Sequence, residues 1–243
     1  MKRFFLLCIV LCVLSGVAIA QKKWTEWDKK EVDKILNDSA WGQVQRDTDT
    51  SEMMYSPTSS PTSGNDSRRG SRESSGAING TVDVIYRIRF FSAKPIREAF
   101  ARMIVLQQAG SDELKQKAFS GKMQGWIDVD LGDIVVVAVS VEATDRRFSG
   151  PVEQAFRSAT SDTLKNTCYL ERNDGKRMYL TLYEQPTPDQ TGAKFVFPRT
   201  VDERPFLTSN TASVRFVAEF GDKIKIDRKF KVADMSYNGK LEY

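Results

Sequence analysis

The densest group of chemistry-bearing side chains is Asp128-Val129-Asp130-Leu131-Gly132-Asp133, in which three carboxylates surround a glycine. Carboxylates at this spacing supply the hard oxygen ligands that Ca²⁺ takes, so Asp128, Asp130 and Asp133 are candidate metal ligands. The register departs from an EF-hand loop, which wants Gly sixth and a bidentate Glu twelfth, because Gly132 stands fifth and Val139 twelfth. A polar turn leading into the apolar run from Ile134 accounts for the same residues. Paired carboxylates also serve as acid and base in glycosidases. The linear order of 32 acidic residues does not say which two would face each other.

Other chemistry is excluded by composition. The chain has no histidine, which removes Ser/His/Asp and Cys/His nucleophilic arrangements and the His-containing zinc sites. There is no Gly-rich phosphate loop and no dinucleotide fingerprint, and no cofactor is read from the sequence. Of the three cysteines, Cys8 and Cys12 lie in the apolar start of the chain and Cys168 stands alone, as a buried apolar residue or a free thiol. Lys223, Lys225, Lys229 and Lys231 share one face of an alternating segment, with Ile224, Ile226, Phe230 and Val232 opposite. Such a row holds an anionic partner or keeps an exposed strand soluble, and Arg87 and Arg89 admit the same two readings.

The heaviest local apolar load is a tryptophan motif between Lys22 and Arg46. Trp24, Trp27 and Trp41 are three of the four tryptophans of the protein. Thr25 is placed to cap a helix over Trp27, Val32, Ile35 and Leu36, ended by Asn37-Asp38-Ser39. Indoles this concentrated must pack on something. They dock on the body of the same chain, or anchor a partner as candidate partner-binding residues.

Around this motif the chain divides into segments. Lys2 and Arg3, the apolar run Phe4 to Val17 and the small-x-small site Ala18-Ile19-Ala20 predict a secretory signal peptide over 1–20. The run is too short to span a bilayer, so no transmembrane anchor is expected after cleavage. Cleavage leaves 34 basic and 32 acidic side chains, a net charge of +2 that gives no reason to expect nucleic acid. Residues 21–46 form the tryptophan-bearing helical motif. Residues 47–81 hold 14 Ser or Thr among 35 residues and read as a disordered linker. Its Arg68, Arg69 and Arg72 make a solvated basic cluster. Asn37, Asn65 and Asn79 head N-glycosylation patterns that matter only in a eukaryotic host.

Residues 82–243 form the expected globular domain. Val82 to Phe91 alternates as a strand, and Pro95 opens a helix that turns Arg97, Glu98 and Arg102 outward and closes at Gly110. A short helical stretch runs through Asp112 to Phe119. Ile134 to Val141 reads as a central strand, and a helix follows Gly150-Pro151. Asn173-Asp174-Gly175 turns a hairpin between Cys168–Glu171 and Met178–Tyr183. Lys194 to Phe197, Val214 to Phe220 and Ile224 to Val232 complete the strands. The fold class predicted is α+β, a mainly antiparallel sheet covered by one or two helices, with a β-sandwich carrying inserted helices as the alternative.

Trp24-x-x-Trp27, the run Lys34-Ile35-Leu36-Asn37-Asp38-Ser39-Ala40-Trp41, the segment Arg89-Phe90-Phe91-Ser92-Ala93-Lys94-Pro95-Ile96-Arg97 and the closing Gly239-Lys240-Leu241-Glu242-Tyr243 resemble exported bacterial proteins of unknown function. The resemblance implies a periplasmic or secreted protein and carries no catalytic residue. The expected function is a non-catalytic binding or interaction module of the cell envelope, with a protein or glycan partner. The alternative is an extracytoplasmic hydrolase working through carboxylates, assisted by Ca²⁺.

Overall fold

The structure, a computed structural model, describes residues 22–49, 82–143 and 146–243. The expected signal peptide and nearly all of the expected linker lie outside the described residues. Helix α1, Lys29–Asn37, begins at Asp28, whose carboxylate accepts the Glu31 amide while the Glu31 side chain accepts the Asp28 amide. This reciprocal capping box displaces Thr25, the expected cap, into a single tight turn over Trp24–Glu26.

Strand β1, Gly42–Asp49, follows α1 and pairs antiparallel with β2, Val82–Phe90, in unbroken register from Gly42 opposite Arg89 to Asp49 opposite Val82. The residues that flank 50–81 are therefore ladder partners, and that segment joins the two strands of a hairpin. The tryptophan motif and the body share one sheet.

Helix α2, Lys94–Ala109, has Pro95 in its first turn and Gly110 just past its end. Helix α3 runs over Glu113–Ile127, well beyond the stretch expected from the sequence. Strand β3, Ile134–Ala143, is apolar on both sides because it is covered on both sides. Helix α4, Arg146–Ser158, carries Pro151 within it rather than starting there, and one further turn, α5, spans Ser161–Leu164. Strands β4 (Cys168–Arg172), β5 (Arg177–Tyr179), β6 (Leu182–Glu184) and β7 (Ala193–Pro198) follow, then the two-residue pair β8 (Thr200–Val201) and β9 (Arg204–Pro205). The long hairpin β10 (Ser213–Phe220) and β11 (Ile224–Lys231) and the small pair β12 (Ser236–Tyr237) and β13 (Lys240–Leu241) close the order.

One antiparallel sheet has the order β1-β2-β3-β7-β6 and a second the order β11-β10-β4-β5. Their inner faces share one core, in which Phe90 meets Phe230 at 5.0 Å and Phe195 meets Phe216 at 5.2 Å between ring centres. The outer face of the first sheet carries α1, α2 and α3, where Trp24, Trp27, Val32 and Leu36 pack with Ile96, Phe100, Val105 and Ile127 in a second core, whereas Val152 and Phe156 of α4 and Leu164 of α5 belong to the core shared by the two sheets. The α+β prediction holds. The helix-covered antiparallel sheet is the middle of three layers, and the second sheet packs on its other face as a sandwich would have it.

The two sheets are joined differently on their two sides. On one side the chain passes directly from β5 to β6, with the Leu180 amide bonded to Cys168 of the second sheet and the Thr181 amide to Val196 of the first. On the other, β1 and β11 meet through side chains. The Gln45 amide group donates to the Lys225 carbonyl and accepts from the Asp227 amide, both at 2.8 Å, and Arg228 Nε donates to the Val44 carbonyl at 3.0 Å. This clasp covers two edges that would otherwise be open to a foreign strand.

Candidate functional site

The tryptophans are committed within the chain. Trp24 and Trp27 are buried between α1 and α2, and the Trp27 carbonyl accepts from Arg102 Nε at 2.7 Å. The Trp41 indole donates to the Glu242 carbonyl at 2.7 Å and stands edge-on to the Tyr237 ring. Of the two readings of Trp24, Trp27 and Trp41, docking on the same chain is the one whose contacts are seen: their rings pack against internal residues, which meets the apolar load the sequence announced.

Within the aspartate cluster, the carboxylates of Asp128 and Asp130 point to separate partners. Asp128 ends α3, where the Gln124 amide and the Lys94 ammonium, each at 2.7 Å, hold its carboxyl below the usual range. Asp130 turns back to accept the Gly132 amide, and the Asp133 carbonyl accepts the Arg199 amide. Among the described residues no group of three or more His, Cys, Asp or Glu side chains is placed to hold a metal ion. The cluster is the polar turn between α3 and β3. Cys168 is fully buried, which raises its thiol pKa well above the ordinary value and leaves it unreactive at neutral pH.

The arginines and lysines divide sharply. Arg87 pairs with Glu142 on the surface, but Arg89 lies inside, as do Arg97, Glu98 and Arg102, which helical spacing had turned outward. Along β11, Lys225 is neutralised by Glu219 and Asp227 by Arg215. Lys229 makes no ion pair among the described residues, and Lys231 reaches only Asp234 at 3.9 Å.

These two lysines lie in a cleft of about 740 Å³. Beyond the Gln45 clasp the edges of β1 and β11 diverge. One wall is Asp38, Ser39, Ala40 and Gln43 from the junction of α1 and β1, and the other is Ala212, Ser213, Lys229, Lys231 and Asp234. The first wall has its shape because α1 and β1 are locked together. Ser39 Oγ donates to the Ile35 carbonyl and accepts the Trp41 and Gly42 amides. A Cβ at Gly42 would sit 2.4 Å from the Leu36 carbonyl oxygen, so only glycine allows this approach. Asp38 also borders a second concavity of about 490 Å³ along the α1 surface, lined by Lys29, Lys30, Asp33 and Lys34.

The sequence pointed to Lys229 and Lys231 through their shared face but not to the opposite wall. The spacing of Lys30 and Lys34, one helical turn apart, was the available signal on α1. Nothing local to Asp38 or Gln43 reveals that β1 abuts a strand 180 residues away.

Comparison with known proteins finds no relative: no family model matches the chain, and neither does a curated protein or a solved structure. Among the described residues no helix is long and apolar enough to cross a membrane.

Proposed function

We propose that the chain is an exported bacterial protein of the cell envelope whose β-rich body is a non-catalytic binding module, with the cleft between β1 and β11 as its ligand seat. Export rests on the basic start, the apolar run and the Ala18-Ile19-Ala20 site. The observation that carries the binding reading is how the first wall is built. The tryptophan motif spends its apolar surface inside the molecule and thereby fixes a polar wall opposite Lys229 and Lys231. A recess with an amide, carboxylates and ammonium groups on rigid elements suits recognition of a polar ligand.

One feature favours the carboxylate hydrolase as a second reading. Asp38 and Asp234 come from different walls of the same cleft, so two carboxylates border one recess. A single experiment separates the two. Ala212 is exposed in the cleft, so Ala212→Trp fills the recess without entering the core. Bacterial envelope fractions are passed over the protein and the variant, and bound material is scored for retention and for cleavage. Retention by the protein alone, with the ligand recovered intact, supports the binding module. Cleavage lost in Asp38→Asn or Asp234→Asn establishes the hydrolase, and equal retention by protein and variant removes the cleft as the site.

A further inference from the structure

The geometry points to a linear, carboxylate-bearing polysaccharide as the ligand, lying through the cleft and onward along α1; this rests on the binding reading above and names its ligand class. The two concavities meet at Asp38, so they form one path along the surface. Four lysines on that path, Lys29, Lys30, Lys34 and Lys229, make no ion pair among the described residues, which leaves their ammonium groups open to a ligand. Lys231 is tied only loosely, and its side chain is 80% exposed.

Spacing argues for a chain rather than a compact anion. Lys30 and Lys34 are one turn apart on α1, roughly 6 Å. Lys229 and Lys231 are two residues apart on one strand face, roughly 7 Å. Positions in series at that interval match a polymer with one charge per repeat, which can meet Lys29, Lys30 and Lys34 in one concavity and Lys229 and Lys231 in the next. The shape of the path narrows the class further. A bilayer surface is flat and meets only projecting cations, whereas Lys229 and Lys231 flank a recess between two strand edges. Gln43, whose side chain amide has no partner among the described residues, supplies both a donor and an acceptor for sugar hydroxyls inside that recess.

The test uses titration of the purified protein with a hexa-uronate, a di-uronate, a neutral hexasaccharide and vesicles containing anionic phospholipid, read by calorimetry and by amide shifts. The hexa-uronate is expected to bind, with shifts at Asp38 and Gln43, and to weaken at high salt as exposed charge pairs do. Lys229→Gln with Lys231→Gln is expected to weaken it about tenfold, these being exposed positions where the fold is not at stake. Lys30→Gln with Lys34→Gln is expected to weaken the hexamer and leave the dimer unchanged, since only the longer chain reaches α1. Equal binding of the neutral hexasaccharide, or indifference to all four lysines, overturns the acidic ligand while leaving the binding module in place. Binding to vesicles alone overturns it in favour of a membrane surface. No binding of any probe also overturns it, and the Ala212→Trp comparison then decides separately whether the cleft binds anything.

Discussion

Arg89 is 5% exposed and forms no ion pair among the described residues, yet it remains charged: burial pushes its pKa down only to about 10. Its guanidinium donates to the Leu36 carbonyl at 2.9 Å, the Asn37 side chain at 2.9 Å and Ser140 Oγ at 3.1 Å, and lies over the Phe100 ring. Leu36 and Asn37 end α1, where carbonyls lack helical partners and the helix dipole is negative. Arg97 does the same for α3, donating to the Ile127 carbonyl at 2.8 Å. Two buried arginines thus cap two helices from outside them. This was illegible in the sequence, because periodicity assigns a charged residue to the solvent side and says nothing about which helix end it meets. Arg89→Met is expected to cost about 2 kcal/mol in urea unfolding, since it strands the Leu36 carbonyl and the Asn37 side-chain oxygen. Arg89→Lys should recover little of that, because an ammonium lacks the guanidinium fork. Glu98 is the complementary case. Burial raises its pKa, against the opposing effect of the Tyr237 hydroxyl that bonds it. The folded state therefore holds the proton more tightly than the unfolded one, and this contribution to stability is full below the ordinary glutamate value and is lost as pH rises through the raised one. Glu98→Gln keeps an acceptor for Tyr237 and removes the charge. Its stability relative to the unaltered protein should therefore increase between pH 4 and pH 8, and a constant difference across that range would contradict the burial account.

At the scale of elements, β1 is the piece that sequence reading missed. Gly42-Gln43-Val44-Gln45-Arg46-Asp47-Thr48-Asp49 has one large apolar residue and no alternating apolar face. Its strand conformation is imposed by its register with β2 and by the Gln45 clasp to β11, neither of which is a local property. By contrast α2 was readable from Pro95 and Gly110, and β3 from its unbroken valines, because those signals act within a few residues. The hairpin register leads to an expectation for the segment it encloses. Replacing 50–81 with Asn-Gly, a favoured two-residue hairpin turn, should leave the fold intact. The shorter closure should stabilise it by about 2 kcal/mol, four halvings of loop length at ~0.6 kcal/mol each. A collapse of thermal stability on that replacement would show that the segment supports the body. Gly42→Ala should act in the opposite direction. Its methyl group meets the Leu36 and Ile35 carbonyls, forcing α1 and β1 apart, and the melting temperature should drop by several degrees as the second core loosens.

For the whole molecule, the three layers explain why the fold class was readable and the cleft was not. Antiparallel hairpins late in the chain and helices early in it give α+β from pattern alone. Which sheet edges end up side by side depends on contacts between residues near 45 and near 228, set by the complete fold. Corner strand β5–β6 closes one side of the sandwich covalently. The clasp closes the other side over part of its length, and the remaining gap is the cleft. The central claim is that the tryptophan motif belongs to the body as a wall of this cleft rather than reaching out to a partner. Hydrogen exchange of the free protein, resolved by residue, tests it most directly. The amides of Gln43, Gln45 and Asp47 point toward β2, because the carbonyl of Val44 faces β11 and successive residues alternate. They should be protected in step with the amides between β2 and β3, opening only when the sheet opens. Rapid exchange at Gln43 and Gln45 beside a protected β2–β3 ladder would show the motif detached in solution and would remove the wall on which the proposed site depends.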